Sequence, residues 1–376
     1  MRESLESCIR LGLTFLFVLV SVSLLALPLY RSDGSPVVRS ALTDQAGQLI
    51  MSGFSGASHS SPGFRHLVEG LDRGVIGGVL FLPHNIANRS ELETMIRQIK
   101  QCACSSAPLI AVDEEGGTVE RLGEEYGFAH VPSPAEIGSG SEAAARREYK
   151  TLARKLADLG FNMNFAPVVD LNTNPMNPII GARGRSFSQD PVVVERFAKI
   201  FIEEHHAAGV LTTLKHFPGH GSSTTDSHKV ETDVGSTWTP DELIPYRGLL
   251  AAGSVDAIMV GHLINETHWG GAATQEGSTA IARILRDELK FDGVVISDDL
   301  TMDAVWPSKT DLASVLRSSL KAGVDIALVA HPTEEDDGGL SLNSSVAKAI
   351  SAGEISSDSI KRSWVRVTLL KAGLSR

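Results

Sequence analysis

Cysteine is nearly absent from this 376-residue chain, which has only Cys8, Cys102 and Cys104. Three thiols cannot build a disulfide framework. Cys102 and Cys104 also lack the C-x-x-C spacing of a zinc site and a second pair to complete one. Basic charge is in deficit as well. Lys+Arg is 34 against Asp+Glu 45, a formal net charge of -11, whereas a nucleic-acid binder draws most of its affinity from neutralising phosphates. No G-x-G-x-x-G follows the first strand-like run and no Walker motif is present, which argues against dinucleotide and nucleotide sites. With 42% hydrophobic and 21% charged residues, the chain is neither a disordered tail nor a coiled coil nor a collagen-like fibre.

The longest apolar run lies at the N-terminus. Residues 11–30 read LGLTFLFVLVSVSLLALPLY without a charge, about the ~20 residues that a bilayer-spanning helix requires. Arg2 and Arg10 precede the run, but Glu3 and Glu6 offset them, so the orientation cue is weak. An uncleaved anchor and a cleaved signal peptide both stay open. Either one exports the rest of the chain, to the membrane, the periplasm or the outside. The expected organisation is therefore a signal or anchor with a short linker over 1–34 and a folded domain over 35–376.

Beyond residue 45 the pattern alternates. Eight short apolar runs follow one another: Leu49–Phe54, Gly78–Leu82, Leu109–Val112, Met163–Val169, Val210–Leu214, Ala257–Val260, Val294–Ile296 and Ile326–Val329. Continuous rather than alternating apolarity marks strands buried on both faces of a parallel sheet. Helical stretches separate them. Asp190-Pro191 is a cap followed by an N1 proline, and Thr239 with Glu242 has capping-box spacing. Ile281, Ile284, Leu285 and Leu289 form one helical face. Gly160, Gly209, Gly253 and Gly323 each stand where a helix hands over to a strand and a left-handed cap is needed. About eight strand–helix units predict a single (β/α)₈ TIM-type barrel, with any chemistry just past the C-terminal ends of its strands.

The polar clusters fall at those places. The third run is followed by Asp113-Glu114-Glu115-Gly116-Gly117, which is either a solvated acidic turn or a ligand-binding one. The fourth is followed by Asp170 and a loop leading to Arg183 and Arg185, arginines that can pair with Asp190 or fork onto a ligand. After the fifth comes Lys215-His216-Phe217-Pro218-Gly219-His220-Gly221, then Asp226-Ser227-His228. Pro218-Gly219 breaks any helix that would align His216 with His220, so the H-E-x-x-H metal logic fails and no metal or other cofactor is expected. The remaining reading is an Asp226–His228 dyad, because a carboxylate beside an imidazole stabilises the imidazolium and makes a proton donor. Gly219, Gly221, Ser222 and Ser223 would let that loop move. After the seventh run come Asp298 and Asp299, of which only one can face the barrel axis squarely. His262 and His331 stand near the same mouth, where capping or core packing is their expected role.

The segments D-E-E-G-G-x-V-x-R, R-S-F-S-x-D-P, K-H-F-P-G-H-G-x-x-x-x-D-S-H and S-D-D-L-x-M resemble the bacterial β-N-acetylhexosaminidases of glycoside hydrolase family 3. They occur in family order over about residues 45–332. The resemblance implies a retaining enzyme that removes terminal N-acetylglucosamine from peptidoglycan-type or chitin-type fragments through a glycosyl–Asp intermediate. It assigns Asp298 as nucleophile, His228 as acid/base and Asp226 as its partner. Asp113, Arg121, Arg185, Lys215 and His216 would hold the sugar ring. Glu114 departs from the family, where Gln is common, but the matched ligand position is Asp113. The chain ends at Arg376, too soon after Asp298 for the second α/β domain that supplies the acid/base in many family-3 β-glucosidases, which favours the loop dyad. The alternatives are a family-3 glycosidase of other sugar preference, an N-acetylglucosaminide phosphorylase using phosphate as acceptor, and a catalytically inactive carbohydrate-binding barrel at the cell envelope. Nothing in the sequence predicts an oligomer.

Overall fold

The computed structural model describes residues 41–104, 106–305, 311–332 and 338–375. The expectations for the apolar run 11–30 and for the 34/35 boundary lie outside them. Among the described residues, no helix is long and apolar enough to cross a membrane.

The eight apolar runs become eight parallel strands. They are β1 (Ile50–Ser52), β2 (Gly78–Phe81), β3 (Leu109–Val112), β4 (Met163–Asn164), β5 (Leu211–Phe217), β7 (Ala257–Val260), β9 (Val294–Ser297) and β10 (Ala327–Val329). Their order is β10-β1-β2-β3-β4-β5-β7-β9. A parallel bridge between Ile296 and Ile326 brings the two ends together, so the sheet is a nearly closed α/β barrel, consistent with the TIM type. β6 (Thr232–Asp233) and β8 (Leu263–Ile264) pair separately as a short parallel ribbon. Burial on both faces is why the strand residues read as unbroken apolar runs.

The fourth and fifth runs differ from expectation. Met163–Val169 pairs as a strand only at its first two residues. The Leu211 N–H donates to the Asn162 carbonyl but the Thr213 N–H to that of Ala166, so the register shifts just past Asn164, and Pro167 has no N–H with which to restore it. Pairing resumes at an isolated bridge between Val168 and Lys215. β5 continues to Phe217, so Lys215 and His216 sit inside the strand end rather than after it.

Helices cover the barrel as their caps predict. The Asp190 carboxylate accepts from the Val192 N–H at 2.9 Å and opens Pro191–Ala207, whose Val194, Phe197, Ala198, Phe201 and Ile202 form one buried face. Ile281, Ile284 and Leu285 are buried as expected, on a π-helical segment, Ala280–Glu288. All four exit glycines have positive φ. One cap expectation fails. Thr239 makes no side-chain cap, and Glu242 turns away from it to the backbone of the loop after β5. Cys102 and Cys104, too few for a disulfide framework and lacking zinc-type spacing, are joined to each other in a disulfide. It closes so short a loop that it restricts the unfolded chain little.

Candidate active site

The strand ends converge on one cavity of about 220 Å³ at the C-terminal mouth of the barrel. Its apolar floor includes Leu80, Met259 and Leu328 from β2, β7 and β10, and Phe165 just after β4. Its polar wall brings together Asp113, Arg121, Arg185, Lys215, His216, His228 and Asp298. Thus seven of the eight residues singled out from the sequence share one pocket. The eighth, Asp226, is bonded to one of them. Two wider depressions, about 670 and 630 Å³, lie at the opposite end of the barrel, where strand N-termini carry no such convergence.

The acidic turn after β3 is not solvated. Glu114 and Glu115 are buried, and each acid has a cation. Asp113 takes the Lys215 Nζ at 2.6 Å. Glu114 takes Lys155 at 2.7 Å together with the Arg121 and Leu122 amides. Burial pushes the Glu114 carboxyl up despite that lysine. Glu115 receives Arg185 through Nε at 2.8 Å and Nη2 at 2.7 Å, and Lys215 at 2.6 Å. Burial opposes the Glu115 charge, but the two cations hold its carboxyl far below the usual range. Burial likewise opposes the charges of Arg185 and Lys215, and the facing carboxylates raise both above their ordinary values. The Arg185 fork is therefore spent on Glu115, not on Asp190. This presents Arg185 to the cavity as a fixed cation. Arg121 differs. Its Nε is buried with no hydrogen-bond partner among the described residues, and its side chain lines the cavity.

Asp170, buried after β4, fixes the histidines of the β5 segment. It accepts His216 Nδ1 at 2.7 Å and the His216 and His220 amides at 3.1 and 2.8 Å. Burial would raise its carboxyl, but the imidazoles and amides lower it. His216 thereby turns Nε2 toward Arg185, at 3.5 Å. The three histidines have three separate sets of partners: His216 with Asp170, His220 with Ser223 and Ser227, His228 with Asp226.

At the end of β9 the two aspartates divide as strand alternation requires. Asp299 turns its carboxylate onto Thr301 and the Ala330 amide. Asp298 lines the cavity. Its carboxylate accepts the Asp299 N–H at 2.8 Å. Burial opposes its charge, but the imidazoles of His262, His216 and His228 and that N–H outweigh burial and hold it at about 2. The dyad forms as expected, with His228 Nδ1 2.9 Å from Asp226 Oδ1. Burial raises the Asp226 carboxyl, and the bonds from His228 more than reverse this. His228 itself is exposed. His262 packs behind the site on Thr274 and the Asp299 carbonyl. His331, expected in a capping or core role, is exposed at the mouth and stacks on His84.

The loop root corrects a second expectation. Gly219 and Gly221 are packing positions rather than hinges. A Cβ at Gly221 would lie 1.6 Å from the Leu171 carbonyl oxygen, and one at Gly219 2.5 Å from the Glu242 Cβ. Ser222 and Ser223 are buried too. Beneath them Glu242 accepts the Gly221 and Ser222 amides at 3.2 and 3.1 Å. Glu242, Glu115 and Asp170 are the residues the sequence reading passed over as site components. The capping-box spacing concealed the first, and the other two stood among many polar residues at strand ends.

Burial, aided by the Asp170 charge, raises Glu242 from 4.5 to about 8. A carboxyl with a raised folded pKa contributes stability that is complete below about pH 4.5 and is lost as pH rises through about 8. Glu242→Gln is expected to be less stable than the parent near pH 5, by about 1 kcal/mol, since its amide nitrogen cannot accept from one of the two N–H groups. The difference should shrink and reverse above pH 8. Denaturant melts at pH 5, 7 and 9 check this, and parallel stability curves would count against it.

The model for the glycosyl hydrolase family 3 N-terminal domain matches residues 41–370. A β-hexosaminidase of Xylella fastidiosa (strain M23) is 36% identical over 282 residues, covering 72% of this chain and 81% of that protein. One of Stenotrophomonas maltophilia (strain K279a) is 34% identical, covering 71% and 80%. The structure of a family 3 β-N-acetylglucosaminidase from Paenibacillus sp. FPU-7 superposes with a TM-score of 0.80 at 32% identity, covering 90% of this chain and 63% of that one. Mycobacterium tuberculosis LpqI superposes with 0.76 at 30%, covering 89% and 94%. A family model that spans nearly all the described residues, on a barrel whose polar strand ends share one cavity, shows that the chain belongs to glycosyl hydrolase family 3.

Proposed function

We propose that this chain is a retaining β-N-acetylhexosaminidase that releases terminal N-acetylglucosamine from amino-sugar oligosaccharides of the peptidoglycan or chitin type. The observation that carries the reading is one cavity that holds a half-buried, ionised Asp298 and the exposed His228 imidazole of the Asp226 dyad. In the first step the Asp298 carboxylate attacks the anomeric carbon. His228, as imidazolium, gives its proton to the departing glycosidic oxygen. In the second, neutral His228 takes a proton from water, whose oxygen displaces Asp298 and frees the sugar with retained configuration. Asp226 holds Nδ1 throughout, which leaves Nε2 to move the proton.

Asp113, Arg121, Arg185, Lys215 and His216 surround the ring. Glu115 and Asp170, buried behind them, orient the cations and His216. The small cavity with an apolar floor favours one terminal sugar over an internal one. The apolar run 11–30 supports an exported enzyme, tethered or released.

Nitrophenyl N-acetylglucosaminide should be cleaved with a kcat/KM about 100-fold or more above that for nitrophenyl glucoside. A site that keeps a buried donor such as the Arg121 Nε for the substrate leaves it unpaired when the acetamido group is missing. Equal rates on the two would refute the amino-sugar assignment.

A further inference from the structure

The turn that carries the dyad is tied into the barrel by a bond that neither dyad member makes. Residues 226–230 close on themselves. The Lys229 and Val230 amides donate to the Asp226 carbonyl at 3.0 and 3.1 Å, and the His228 amide donates to Asp226 Oδ1 at 3.0 Å. His228, Lys229 and Val230 are exposed. Ser227, between the two dyad residues, is 1% exposed, and its hydroxyl lies 2.9 Å from His220 Nε2.

His220 is part of the rigid loop root. Its Nδ1 meets the Ser223 hydroxyl at 2.8 Å, its amide donates to Asp170, and its carbonyl accepts the Asn177 side chain at 2.7 Å. The two backbone amides that follow it donate to Glu242. Burial keeps the His220 ring neutral, at about 4. A neutral imidazole offers one donor and one acceptor, which two rotatable hydroxyls can complement.

We propose that Ser227 is a positioning residue for the acid/base: its bond to His220 sets the height and rotation of the turn, so that His228 faces the cavity over Asp298. The proposal rests on the acid/base reading of His228. Proton transfer demands hydrogen-bond reach and tolerates misplacement poorly. A turn held at its central residue can keep both neighbours in register, whereas a turn held only at its ends leaves the apex free to rotate.

The test is Ser227→Ala, with Ser227→Thr to restore a hydroxyl and His228→Ala as the reference. Each is assayed on an N-acetylglucosaminide with a nitrophenyl leaving group and on one with an alkyl leaving group, with and without azide. The expected result for Ser227→Ala is about a tenfold loss of kcat/KM on the alkyl substrate, the scale of one hydrogen bond. Several-fold less should be lost on the nitrophenyl substrate. Azide, which attacks the intermediate without a base, should restore nitrophenyl turnover as it does for His228→Ala. Ser227→Thr should retain most of the parent activity, and adding Ser227→Ala to His228→Ala should cost nothing further.

An equal loss on both substrates that azide leaves unchanged would mean that Ser227 only supports the fold, and would overturn the proposal. So would no loss at all. If His228→Ala itself showed neither leaving-group dependence nor azide rescue, the acid/base assignment would fall, and the positioning role with it.

Discussion

Asp298→Ala is expected to lower kcat/KM on every N-acetylglucosaminide by on the order of 10⁴ or more, whatever the leaving group. The carboxylate forms the covalent bond that divides one difficult displacement into two easier ones, and no neighbouring oxygen can replace it. Asp299, the adjacent carboxylate, is already bonded to Thr301 and the Ala330 amide. Glu115 is held between Lys215 and Arg185. Asp113, the remaining cavity-lining acid, is paired with Lys215. With Asp298 held at about 2, it is ionised at ordinary assay pH, so its titration should not appear in an activity profile taken above about pH 4. A fluorosugar that traps the intermediate should label Asp298, and the alanine variant should trap nothing. Adduct on any other residue, or a loss of under a hundredfold in a folded variant, would count against the nucleophile assignment.

His228→Ala is expected to be selective where Asp298→Ala is uniform. Acid catalysis contributes ~10²–10⁴-fold, but only to a leaving group that needs a proton. Alkyl and sugar aglycones should lose that factor, and nitrophenol, a stable anion, should lose far less in the first step. Nitrophenyl turnover should then be limited by hydrolysis of the glycosyl–enzyme, giving a burst of nitrophenol. The exposure of His228 makes this variant safe for the fold, since its ring covers no core and, among the described residues, its one side-chain bond is to Asp226. Equal losses for nitrophenyl and alkyl substrates would show that the imidazole does not handle the leaving-group proton.

Much of the architecture was legible because it depends on local periodicity. Strands buried on two faces must be apolar at successive positions, so eight such runs could be counted. Their ends were off by at most five residues, and two runs, Leu109–Val112 and Ala257–Val260, matched at both ends. The largest gap follows Asn164, where regular pairing lapses while apolarity continues. The site was legible in part for a related reason. A barrel puts its chemistry at strand ends, and Asp113, Asp298 and the β5 segment stood there.

Less legible was which polar groups would meet each other. Three adjacent acids at Asp113, Glu114 and Glu115 look alike on paper, yet each takes its cation from a different part of the chain: Lys155 for Glu114, Arg185 for Glu115, and Lys215 shared by Asp113 and Glu115. Glu242 had the spacing of a helix cap and became instead a buried support for the loop after β5. Gly219 and Gly221 had the composition of a hinge and proved to be points of close approach.

The order of residues alone decided the eight strands, most of the caps, the family and the set of side chains at the mouth, because these follow from patterns repeated every few positions or from motifs written out in full. Tertiary structure alone decided which of those side chains are free to meet a sugar and which are committed to one another. Charges and hydrogen bonds act over a few ångströms of space, and a barrel brings together residues as distant in the chain as Asp113 and Lys215.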